Sequence, residues 1–114
     1  MKVRHGVTPL GSIAAGGGST NEADMGSFSY GWLYVQTPSS GGSVTVSVEA
    51  APEEFGQTPT WHKYGNSALI AQDQNFAIPI PMGVGSDYVI PARLRVTSDK
   101  ELTGIFIEGV RDLA

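Results

Sequence analysis

Residues 43–50 read Ser-Val-Thr-Val-Ser-Val-Glu-Ala, so Val44, Val46 and Val48 alternate strictly with Ser43, Thr45, Ser47 and Glu49. Only an extended backbone sends successive side chains to opposite faces, so this run predicts a strand with one core face and one wet face. The same period recurs in residues 92–97, where Ala92, Leu94 and Val96 oppose Arg93, Arg95 and Thr97. It is looser in residues 102–110, with Ile105 and Ile107 on one face and Leu102, Gly104 and Phe106 on the other. No stretch carries a helical apolar period, and no long helix is expected. Fifteen glycines and seven prolines punctuate the chain at the spacing of short strands joined by turns. The expectation is an all-β fold, an antiparallel β-sandwich of about seven to eight strands. Strand order in space is not readable, so jelly-roll-like and immunoglobulin-like sandwiches both stay open.

Two hairpins are expected. One pairs residues 28–36 with residues 43–50 across the turn Thr37-Pro38-Ser39-Ser40-Gly41-Gly42. The other pairs residues 92–97 with residues 102–110 across Ser98-Asp99-Lys100-Glu101. Weaker strands are read at residues 68–72 and 76–81. In the second, Phe76, Ile78 and Ile80 share a side opposite Pro79 and Pro81, and the prolines assign it to a sheet edge. Met82-Gly83-Val84-Gly85-Ser86-Asp87 reads as a turn. Residues 1–26 differ from the rest. They read as an edge strand followed by a glycine-rich linker, or as an extended N-terminal arm that orders against a partner, with the sandwich in residues 27–114.

The one unusual constellation is aromatic. Phe28, Tyr30, Trp32 and Tyr34 fall two apart and share a strand face, while Leu33 and Val35 point the other way. Trp61 and Tyr64 lie in the long connection over residues 51–65. The favoured assignment puts these rings in the core and its rim, where their large area is buried. The alternative exposes Trp32, Trp61 and Tyr64 as a stacking platform for a ligand.

Catalytic chemistry finds little to work with. There are two histidines, His5 in the N-terminal segment and His62 in a loop, and no Ser or Thr motif provides an activated nucleophile. The chain has no cysteine, which removes disulfides, thiolate metal sites and a thiol nucleophile together. No calcium loop, paired metal-binding histidines or phosphate loop is present, so no metal and no cofactor are expected. Glu49, Glu53, Glu54, Asp87 and Glu108 could supply a carboxylate pair for glycoside chemistry, but solvated surface carboxylates account for them. The net charge of −4, with scattered basic residues, argues against nucleic acid as a partner. The first residues are too broken by Pro and Gly for a secretory leader, and no apolar run reaches the ~18–20 residues that span a bilayer. A soluble, non-enzymatic domain is expected.

The order of features from Val44 onward resembles accessory structural proteins of tailed-bacteriophage virions. The alternating strand over residues 44–49 is followed by Trp61-His62-Lys63-Tyr64-Gly65, then Ile78-Pro79-Ile80-Pro81, then Ala92-Arg93-Leu94-Arg95-Val96-Thr97 and a last glycine-bearing strand over residues 103–109. The likeness covers about the last two thirds of the chain and is one of strand order, shared with carbohydrate-binding modules. It implies a virion location and a capsid decoration or cement role. The partners it implies are copies of the chain itself and a major capsid or other virion protein. Under the carbohydrate-binding alternative, the partner is a glycan.

Overall fold

The computed structural model describes residues 3–26, 28, 30–52, 58–81 and 91–112. The expected turn at residues 82–87, and Glu53, Glu54 and Phe55, lie outside them. The described residues form ten strands in two antiparallel sheets, and none of them is helical. In chain order the strands are β1 (Val3–Ile13), β2 (Gly18–Ser19), β3 (Ala23–Asp24), β4 (Tyr30–Gln36), β5 (Val44–Ala51), β6 (His62–Lys63), β7 (Ala68–Ile70), β8 (Asn75–Ile80), β9 (Arg93–Ser98) and β10 (Leu102–Asp112).

The first sheet runs β1-β10-β4-β8. The second runs β2-β9-β5-β6, with β3 beside β2 on β9 and β7 beside β6 on β5. If β2 and β3 count as one interrupted strand, and β6 and β7 as another, the first strand pairs with the last. The second then pairs with the seventh, the third with the sixth and the fourth with the fifth. That nesting is the jelly roll, and it decides between the two sandwiches the sequence left open.

Neither expected hairpin forms. β4 and β5 lie in different sheets, as do β9 and β10, so residues 37–43 and 99–101 cross from one layer to the other. Alternation cannot distinguish the two outcomes, because consecutive strands present an apolar face to the core whether they pair side by side or face each other across it. Polar groups hold the crossings. The buried Thr37 hydroxyl donates to the Ala71 carbonyl at 2.7 Å and accepts from the Gln74 N–H at 2.8 Å. Asp99 accepts from the Thr45 N–H at 2.8 Å, and the Lys100 ammonium donates to the carbonyls of Gly41 and Ser43.

The core fills the space between the sheets. Leu33, Val35, Leu102, Ile105 and Ile107 from the first sheet meet Val44, Val46, Val48, Leu94 and Val96 from the second. Leu102 joins Ile105 and Ile107 rather than facing away from them, because β10 carries an extra residue. Thr103 and Phe106 oppose Gln36 and Tyr34, three steps on one strand against two on the other. Gly104, at φ +56°, is the residue that accommodates this bulge.

Residues 76–81 occupy the predicted edge position, as β8 beside β4. At the other edge, residues 3–13 are the edge strand β1, paired with β10 along its length. At one end of this sheet Gly6, Gly109 and Gly31 stand side by side on β1, β10 and β4. The Phe28 ring lies against Gly6 and Gly109, where a Cβ would come within 2.6 Å and 2.4 Å of it. Phe28 therefore leaves the aromatic row expected for it and packs against the core.

Candidate functional site

The outer face of the first sheet is the feature that sets this molecule apart. Trp32, Tyr34 and Phe106 are 39%, 38% and 39% exposed there, while Leu33 and Val35 are buried. Trp32 and Tyr34 thus stand outside the core on a partly exposed face, where the favoured expectation had put them in the core and its rim. Both parities of β4 are apolar, so the pattern alone does not choose the inward one. Packing does: sheets face each other about 10 Å apart, and branched aliphatics from both layers fill that gap.

Cross-strand register assembles the face. One row runs Pro9, Phe106, Tyr34 and Ala77, and the next runs Val7, Glu108, Trp32 and Pro79. Val7 is 60% exposed. A single carboxylate sits amid this apolar surface. Glu108 Oε1 accepts from the Tyr34 hydroxyl at 3.0 Å, and Oε2 lies 3.4 Å from Nδ1 of His5. The hydrogen bond to Glu108 raises the pKa of the Tyr34 phenol above its ordinary value, with desolvation and the carboxylate's charge adding to it. At the bulge end the face opens into a cleft of about 570 Å³, lined by Tyr34, Phe106, Phe76, Gln36, Asn75 and Glu108.

The three aromatic residues singled out in the sequence are not brought together. Trp32 is on the first sheet's outer face, whereas Trp61 and Tyr64 flank β6 on the second sheet. Trp61 is half-buried beneath the Arg95 guanidinium, 4.5 Å from its ring centroid, with Arg93 at 5.9 Å. Arg95 also donates to Glu49 at 2.7 Å. This stack pins the long connection to β9 and leaves Trp61 already covered on that side. Tyr64 packs against the core, and burial raises its pKa.

The surface is made of residues that the sequence names separately and does not join: Tyr34, Phe106, His5 and Glu108. His5 and Glu108 are about a hundred positions apart and meet through the β1–β10 ladder. Among the described residues, no group of three or more His, Cys, Asp or Glu side chains is placed to hold a metal ion. No protein-family model matches the sequence, and no curated protein is significantly similar to it.

Proposed function

We propose that this protein is a non-enzymatic structural component of a virion, a capsid decoration protein that associates with copies of itself and docks on the shell. The observation that carries the reading is the edge of the first sheet. β1 is eleven residues long and sits at the end of the sheet, with no described strand on its outer side. A long open edge is a template for another strand, and here Pro9 and the register shifts beyond it blunt one end, which leaves residues 3–8 as the regular stretch. Pro9 has no N–H, so its unbonded nitrogen belongs on the open side, and by alternation His5 and Val7 turn their backbone N–H and C=O groups the same way. Two β1 edges related by a twofold axis would join two four-stranded sheets into one, an isologous interface.

The jelly roll supports this by analogy, because it is a recurrent architecture of viral capsid domains. The strand-order resemblance to phage accessory proteins points the same way. Size-exclusion chromatography with light scattering, followed by co-sedimentation with purified phage capsids, tests the reading. Self-association and capsid binding are expected. A monomer at every concentration that stays in the supernatant would overturn it.

A further inference from the structure

We propose that the cleft at the bulge end of the outer face binds a neutral sugar ring. This goes beyond the assembly role and uses a different surface: side chains on the face of the sheet rather than the backbone of its edge. A pyranose has an apolar face of C–H groups and a polar rim of hydroxyls. The cleft offers a counterpart to each. Tyr34 and Phe106 contribute exposed ring surface, with Trp32 continuing it along β4. Gln36 and Asn75 contribute amides that both donate and accept, and Glu108 contributes a carboxylate that only accepts.

Glu108 is the group that makes this a site rather than a patch. One of its oxygens accepts from the Tyr34 hydroxyl and the other lies 3.4 Å from Nδ1 of His5, so the carboxylate already faces partners at the mouth of the cleft. A preset acceptor beside exposed rings suits a ligand with hydroxyl donors on an apolar frame. The charge balance narrows the class. Among the described residues, Glu108 is the only acidic or basic side chain lining the cleft, with neither Lys nor Arg beside it. Sialic acids, uronic acids, sulfated sugars and phosphates would bring a second negative charge toward it. Neutral hexoses and N-acetylhexosamines would not. At about 570 Å³ the cleft is within the size range of small-ligand sites, roughly 300–1,000 Å³.

A glycan array carrying neutral, sialylated and sulfated oligosaccharides provides the test, with each hit followed by isothermal titration of that oligosaccharide. The protein should bind neutral glycans in preference to their acidic counterparts. Phe106→Ala and Phe106→Leu should each weaken binding at least about tenfold, the leucine variant keeping apolar bulk without a ring face. Glu108→Gln should weaken it about tenfold or more by removing a charged acceptor. Trp61→Ala, on the other sheet, should bind as the parent does. Far-UV circular dichroism establishes that each variant is folded. No binding to any neutral glycan, a preference for acidic ones, or equal binding by folded Phe106→Leu would each overturn the proposal.

Discussion

Replacing Gly109 with alanine should be costly for one reason only, the ring of Phe28. The new methyl would lie 2.4 Å from Cγ of Phe28 and 2.7 Å from both Cδ atoms. Carbon atoms rest about 3.5–4.0 Å apart, so the ring has to lift by more than 1 Å and give up its contact with the sheet. Overpacking of this kind costs about 1–3 kcal/mol. The Gly109 backbone is not in the left-handed region, so alanine brings no conformational strain of its own. Phe28→Ala alone should cost about 2 kcal/mol, less than the ~3–5 kcal/mol of a fully buried phenylalanine because the ring is half-buried. In the Phe28→Ala background, Gly109→Ala then meets empty space. It should be neutral or stabilising by up to about 1 kcal/mol, because a strand alanine loses less chain entropy than glycine. The double-mutant cycle should therefore show a coupling of about 1–4 kcal/mol. Urea unfolding of the four proteins, followed by tryptophan fluorescence, measures it. If Gly109→Ala costs the same with and without the Phe28 ring, the trough is not what requires glycine.

Gly104→Ala provides the contrast. Its φ of +56° should cost about 1–2 kcal/mol, and Gln36→Ala should not restore the loss even though the Gln36 side chain is the nearest neighbour, as thermal unfolding of both variants would reveal. Thr37→Val keeps the shape of the side chain but strands the Ala71 carbonyl and the Gln74 N–H, and should lower stability by about 1–3 kcal/mol in urea denaturation. Arg95→Ala removes both the Glu49 partner and the cation over Trp61. It should cost about 1–2 kcal/mol and shift tryptophan emission to longer wavelength. The Tyr34 phenol should ionise above its ordinary 10.0, and Glu108→Gln should bring it back down, as NMR titration of the ring would record. Because the folded-state pKa is raised, the Tyr34–Glu108 contribution is complete below pH 10 and fades as pH rises through the folded value.

Much of the layer structure was legible in the residues themselves. Val44, Val46, Val48, Leu94 and Val96 alternate with polar residues, and each of them is buried. Pro79 and Pro81 placed β8 at an edge because proline cannot serve a central ladder. Pairing was not legible. The β1–β10 ladder joins residues about a hundred positions apart, and nothing in a period of two says which distant strand lies alongside. The bulge at Gly104 leaves only a partial signal: a lone glycine in a strand pattern can mark a bulge, but a period of two read straight through it puts Leu102 on the wrong face. The candidate site suffered most. Where both faces of β4 are apolar, only the volume available between the layers decides that Leu33 and Val35 go in and Trp32 and Tyr34 go out.

The position of β10 has a consequence for the order in which the chain can acquire its structure. It lies between β1 and β4, so β1 waits for residues 102–112 before it has its described partner. Until then the apolar sides of β1 and β4 have no strand between them, and loop closure across nearly the whole chain must precede the ladder that rewards it. The first sheet therefore closes only once residues 102–112 are available to enter it. A nascent chain arrested before Leu102 should be protease-sensitive throughout β1, and a peptide spanning β10 supplied in trans is the single piece that would complete it.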